Sequence, residues 1–444
     1  MNNQTSVRMK RSVLSFLLLL FLGKGYGQIP AAQLQDTLDF YRPVFNVTGA
    51  SAAILFPDET LWTGTSGWSD TINGNPIDTS MVFAIGSITK TYVATLLLKL
   101  MEQGLITSLN DTLGMYLSLN HPYISNQITL RQLLDHTSGL YDFATDTALA
   151  MAVIADPTYW WPPDSALAYV KAPYFAPGTG FQYSNTNYLL LGLIAKSVLS
   201  VDTLGAYLRD SLLLPNGCYQ SFFFPEMHIT APLTIAHPHL DTNGTPQTQE
   251  DISFFPRIAI HSVAWAAGCM YATPQDVVRF MSKLFTNQIL SPASLNLMTQ
   301  FNSNYYGLGV GKGYYKGYEF WGHQGMILGY TAIYLHVPML KITLCLLTNN
   351  HMINVGGYAS KLLDVAMTYV LTNTDPTATL QQKWKLTPNP VSDRITVTPV
   401  SNPVTYTIYS VNGQVAQSGT LTPFQPTIDV TALPPGVYFL HLSN

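Results

Sequence analysis

The chain has 444 residues, 47% of them hydrophobic and 12% aromatic, which is enough for one large core plus an appendage. Charged residues make up only 10%, against roughly 25% in an average soluble protein, a balance that suits a surface outside the cell better than a cytoplasmic one. The formal charge of −4 comes without a basic cluster, so nucleic acid is not an expected partner.

Residues 1–27 read as a secretory signal peptide. Arg8, Lys10 and Arg11 precede the apolar run 13–22, and the small residues Gly25 and Gly27 follow. That run is too short for a permanent membrane anchor. Cleavage near Gly27 removes Arg8, Lys10, Arg11 and Lys24 and takes the formal charge to −8. An amphipathic helix is predicted over 31–41. Two extended runs, 51–56 and 60–64, flank the hairpin signal Pro57-Asp58-Glu59. Apolar residues surround the predicted helix 87–103 on all sides, so it is expected to be buried, with Gly104 as its stop. The middle, 105–260, mixes short helical patterns with loops rich in Pro, Gly and Asn. Tyr330–Val337 and 341–347 are predicted strands, and 357–371 a helix. Strands near both ends of this region with helices between them predict an α+β domain over 28–371, its antiparallel sheet completed by the termini.

Residues 372–385 are polar and read as a linker. From 386 to 444 the pattern is all-β, with predicted strands at Arg394–Thr398, 405–409 and 437–442 and a hairpin turn at Asn412-Gly413. This is expected to be a small, separate β-sandwich. The three cysteines Cys218, Cys269 and Cys345 are odd in number and show no metal-knuckle spacing, so no disulfide framework is expected.

Ser87-Ile88-Thr89-Lys90 carries the chemistry. At this spacing, in the first turn of a helix, both side chains share one face. A serine hydroxyl becomes a useful nucleophile only when a neighbour takes its proton, and a desolvated lysine can do so. The helix N-terminus adds N–H groups where an oxyanion would form. Tyr183-Ser184-Asn185 follows a Pro177-Gly178 turn that can present both outer side chains to a cleft, and a phenol beside a lysine is expected to have a lowered pKa. His323-Gln324-Gly325 is expected just ahead of the strand that starts near Tyr330, with Gly325 allowing a substrate backbone to approach. His136 and Ser138 are expected to brace a turn. His237 and His239 lack a third ligand in pattern, so no metal and no cofactor is expected.

The three motifs in this order resemble the penicillin-recognising serine hydrolases of the class C beta-lactamase and D-alanyl-D-alanine carboxypeptidase kind, together with His136-Thr137-Ser138-Gly139-Leu140 and the run Ala266 to Asp276. The likeness spans roughly 30–370. It implies the beta-lactamase/transpeptidase fold and an acyl-serine mechanism with Ser87 as nucleophile. Lys90 and Tyr183 would handle protons, Asn185 would bind the substrate amide, and His323 would meet a carboxylate or Tyr183. The N–H groups of Ser87 and Met326, the latter just after Gly325, would form the oxyanion hole. His-Gln-Gly stands where such beta-lactamases usually carry Lys-Thr-Gly. A neutral imidazole is a weaker carboxylate partner than an ammonium. The expected substrate is therefore a small D-amino-acid peptide, amide or ester, ahead of a true beta-lactamase or a non-catalytic binder of cell-wall fragments. Pro388-Asn389-Pro390, Tyr409 to Gln414 and Leu433 to Tyr438 resemble the C-terminal sorting domain of type IX secretion. That implies delivery to the medium or cell surface and the secretion machinery as a partner.

Overall fold

The computed structural model describes residues 29–245, 249–373, 385–387, 393–398, 404–410, 414–422, 425–434 and 438–443. The expected signal peptide, most of the expected linker, Pro388 to Pro390, the Asn412-Gly413 turn and Pro435 to Val437 lie outside them. The chain divides into two compact units, one up to Val370 and one from Leu371.

A seven-stranded sheet organises the first unit. Its members are β1 (Gly49–Leu55), β2 (Leu61–Asp70), β3 (Asn75–Pro76), β4 (Gly311–Tyr315), β5 (Tyr318–Ile327), β6 (Tyr330–Val337) and β7 (Ile342–Thr348), in the order β3-β2-β1-β7-β6-β5-β4. β1 from one end of the unit pairs antiparallel with β7 from the other, Ala53 opposite Cys345. Alternation at period two gives the sheet two faces. Ala52, Ile54, Leu344 and Leu346 pack on α1 (Ala31–Val44) and on the helix Val355–Asn373. Ala53, Cys345 and Leu347 face a larger core built around α2 (Thr89–Glu102). Residues 89–98 of α2 are all buried, which explains why its apolar residues run all round.

Two strand expectations need correction. His323-Gln324-Gly325 does precede the strand that starts at Tyr330, but it lies inside a strand of its own, β5, where none was expected. Gly322 and Gly325 dilute the β-signal there, and the pairing with β6 through the two-residue turn Leu328-Gly329 makes the strand. Lys385, assigned to the linker, begins the short strand Lys385–Thr387. In the second unit Arg394–Thr398 lies between that strand and Thr427–Asp429, while Val404–Ser410 lies between Val415–Leu421 and Tyr438–Ser443. Val397, Ile408, Leu421 and Ile428 form its core. Cys218, Cys269 and Cys345 are free and buried.

Candidate active site

Gly86, Ser87 and Ile88 form a 3-10 turn that runs into α2. Gly86 has φ +50°, and a Cβ there would stand 2.6 Å from Met326 N. A Cβ on Gly325 would overlap Ile85 O and lie 3.1 Å from Ser87 N. Two glycines thus let β5 press against the serine turn, with Met326 N set against Gly86 and Ser87 N against Gly325.

Lys90 is fully buried one helical turn on. Its Nζ lies 2.9 Å from Ser87 Oγ and donates to Asn185 Oδ1 at 2.8 Å and to Ala267 O at 2.7 Å. Burial pushes its pKa down to about 7, against the pull of the Asp142 carboxylate. A neutral amine has two N–H bonds and one lone pair. The amide and carbonyl oxygens accept only, so they take the two N–H bonds and leave the lone pair for the serine hydroxyl.

Asn185 opens the helix α4 (Asn185–Leu199), preceded in the chain by the helix α3 (Thr147–Ala155). The resemblance assigned Asn185 to the substrate amide. It lines the cavity, its Oδ1 holds Lys90, and its Nδ2 donates to both oxygens of Asp142 at 3.2 and 3.1 Å. Asp142 Oδ1 also accepts from Asn185 N and Ala144 N. Sequence reasoning passed over Asp142, although it lies three residues beyond Gly139 in the stretch that carried the resemblance.

Tyr183 differs from expectation. Its ring is half-buried, with Lys90 Nζ 4.9 Å from the centroid and the His136 ring 4.3 Å away. Its hydroxyl is buried beside Ser87. Burial raises its pKa, the nearby serine offsets this in part, and Asp142 adds to the rise. The group is therefore a phenol at neutral pH and not a phenolate. The expected lowering fails because Lys90 faces the ring and is itself close to losing its charge.

His323 Nε2 bonds the Tyr306 hydroxyl at 2.9 Å, and its Nδ1 lies 2.5 Å from Gln324 O. Its ring stands 6.3 Å from that of Tyr183 without a hydrogen bond between them. Burial, then the proximity of Lys90, lowers its pKa to about 4, so the imidazole is neutral at pH 7. Nothing in the sequence near Tyr306 marked it as the partner. His136 and Ser138 do brace a turn: His136 Nδ1 accepts from Ser184 N at 3.2 Å, and Ser138 Oγ donates to Asn187 Oδ1 at 2.6 Å.

Ser87, Tyr183, Asn185, His323 and Gly325 line one cavity of about 990 Å³. Away from it, ligand atoms of His237, Asp70 and Asp251 lie within 4.8 Å of one another. His237 Nδ1 bonds Asp251 at 2.8 Å and Asp70 accepts from Ile72 N and Asn73 N, while His237 N donates to Ser69 Oγ at 3.2 Å and ties the β2–β3 hairpin to the 237–251 segment. His239 is turned to Asn349 O.

A family model described as beta-lactamase matches residues 42–355. The chain belongs to that family. A second model, described as a secretion system C-terminal sorting domain, matches residues 385–444. Penicillin-binding protein 4 of Amycolatopsis lactamdurans is 29% identical over 358 residues, covering 74% of this chain and 86% of its own length. A D-aminopeptidase of Cereibacter sphaeroides is 25% identical, with 75% of this chain and 63% of the relative covered, so the chain spans less than two thirds of that protein. The solved D-amino acid amidase of Ochrobactrum anthropi, complexed with D-phenylalanine, superposes with a TM-score of 0.66 at 26% identity, over 76% of this chain and 98% of the other. This beta-lactamase-family chain is a serine hydrolase of the beta-lactamase/transpeptidase fold. Among the described residues no single helix is long and apolar enough to cross a membrane.

Proposed function

We propose that this chain is an exported hydrolase that opens a small D-amino-acid peptide, amide or ester through an acyl-serine intermediate at Ser87. The observation that carries the reading is the Lys90 amine, buried and held by two acceptor-only oxygens so that its lone pair meets Ser87 Oγ. Lys90 takes the hydroxyl proton as the Oγ–carbonyl carbon bond forms, and the N–H groups of Ser87 and Met326 receive the negative charge on the carbonyl oxygen. The carbon–leaving-group bond then breaks. The departing amine or alcohol takes a proton from the Tyr183 phenol, which the protonated Lys90 beside it restores. Water repeats the sequence on the acyl-serine and frees Ser87. Asn185 and Asp142 position Lys90. His323 shapes the wall beside Gly325 as a neutral group.

A true beta-lactamase is less well supported, because the neutral His323 offers no cation to the carboxylate of a penicillin. A non-catalytic binder has no use for an amine buried at the cost of its charge. Export rests on the match of residues 385–444 to a sorting domain and on the basic-apolar-small pattern of residues 1–27. The sorting match also supports secretion machinery as the partner.

The test is covalent. A fluorophosphonate or fluorescent penicillin is expected to add to Ser87, read by intact mass and peptide mapping, and Ser87→Ala is expected to lose both the adduct and turnover. An adduct elsewhere, or turnover that survives the substitution, defeats the assignment.

A further inference from the structure

The wall of the cavity beyond Ser87 carries a chemistry that the catalytic groups do not need. Every residue of α3 after Thr147 is apolar, yet only Leu149 and Val153 are buried. Met151 and Ile154 are 67% and 61% exposed. A surface helix ordinarily turns polar residues outward, and one that is apolar all round is ordinarily covered. α3 is neither, and Leu149, Val153 and Ile154 line the cavity that holds Ser87. Ile252, Phe255 and Val263 line it too, and at the rim Phe254 is 80% exposed.

Charge is missing from the same wall. No lysine or arginine is among the described residues lining the cavity. His323 is neutral at pH 7. Two carboxylates line it, and both are committed to the protein. Asp142 holds Asn185 and Ala144 N. Asp146 is paired with Lys171 at 2.6 Å and caps α3 through Ala148 N and Leu149 N. A substrate that ends in a free carboxylate or ammonium would leave that charge without a partner in an apolar site.

We propose that the substrate is an ester or amide whose acyl part is a long, uncharged apolar chain, seated between α3 and the Ile252–Val263 wall while its carbonyl meets Ser87. The proposal rests on the acyl-serine reading above and goes beyond its substrate class, putting an apolar acyl chain where that reading has a D-amino-acid group. Continuity of the apolar wall with the nucleophile identifies the occupant as part of the substrate. The volume of about 990 Å³ is at the upper end of the roughly 300–1,000 Å³ usual for ligand pockets, well beyond the needs of an alanyl group. The bond chemistry is unchanged: an alcohol or amine leaves and water releases the fatty acid.

The full chain is tested on p-nitrophenyl acetate, butyrate and octanoate below their micellar concentrations, beside D-phenylalanine amide and a penicillin. A fully buried methylene is worth about fourfold in binding. Thus kcat/KM is expected to rise at least about tenfold from acetate to octanoate even with partial burial, and octanoate is expected to be the best of the five. Ile154→Ser combined with Phe254→Ser is expected to flatten the rise to about threefold or less, whereas Phe40→Ser, an exposed change on α1, is expected to keep it. A flat or falling series, a rise untouched by the double variant, or a preference for D-phenylalanine amide or penicillin overturns the proposal. In each of these cases Ser87 is still acylated. Failure of Ser87 to label, with no substrate turned over, overturns the acyl-serine reading instead.

Discussion

Asp142→Asn tests whether Lys90 is the base, because it removes the carboxylate's charge while keeping the shape of the side chain. Three of the four hydrogen bonds that the Asp142 carboxylate accepts fall on Oδ1, from Ala144 N, Asn185 N and Asn185 Nδ2; an asparagine carbonyl placed there has lone pairs for two of them, and the bond from Asn185 Nδ2 to Oδ2 is lost. The Asn185 amide bridges the carboxylate to Lys90, which places the two charges roughly 7 Å apart. At an effective dielectric of about 20 their attraction is about 2 kcal/mol, or about 1.5 pH units. The carboxylate raises the Lys90 pKa from where burial alone would leave it, so its removal lowers that pKa. A base works when deprotonated. The wild-type kcat/KM for an uncharged ester is therefore expected to fall tenfold per pH unit below an acid limb near 7. In the variant the limb moves down to between pH 5 and 6, and the plateau drops because a weaker base pulls less. At pH 6 the variant then retains roughly eight times more of its own plateau than the wild type does. The assay is initial rate against pH from 5 to 9 with a non-ionising substrate, beside a fluorescence check of folding at each pH. A limb that stays near 7, or moves upward, would refute Lys90 as the titrating base.

Three further outcomes follow from the same geometry. Tyr183→Phe is expected to lower kcat by roughly two to four decades with an unchanged melting temperature, since its hydroxyl makes no fixed hydrogen bond for the fold to lose; a loss of only a few-fold would return Tyr183 to packing. Gly325→Ala must drive β5 away from Ile85 O and Ser87 N, so turnover is expected to fall at least about a hundredfold as the oxyanion site opens, with a lower melting temperature. Normal turnover would show that the Met326 N–H is not used. Truncation after residue 375 is expected to leave a folded, active hydrolase, because the catalytic unit ends near Val370 and has its own core. The same truncation is expected to keep the protein out of the medium of its native host, read by fractionation. Aggregated product or normal secretion would each contradict that division of labour.

What the sequence disclosed about the site follows the reach of its contacts. Ser87 and Lys90 were legible because the pair is local: three residues on a helix place them together whatever the rest of the chain does. Burial of Lys90 was legible too, from the apolar residues all round α2. Asp142 was not, because its link to Asn185 spans forty-three positions and nothing in a one-dimensional pattern separates a committed aspartate from a solvated one. The same holds for Tyr306 on His323 and for the Ala267 carbonyl on Lys90, a backbone atom without any residue signature. β5 escaped notice because the close approach at Gly325 needs the residue that most weakens a strand pattern. Val415–Leu421 escaped for a related reason: Gln417, Ser418 and Gly419 break the apolar alternation, and pairing with Val404–Ser410 supplies the strand. The direction of the Tyr183 shift was misread since a neighbouring lysine lowers a phenol's pKa only while it is charged and turned to the oxygen. Here burial acts on both groups at once, taking the proton from the amine and keeping it on the phenol. That opposition is what gives a base and an acid from two groups that are both cation or neutral in water, and it exists only once the fold has closed over them.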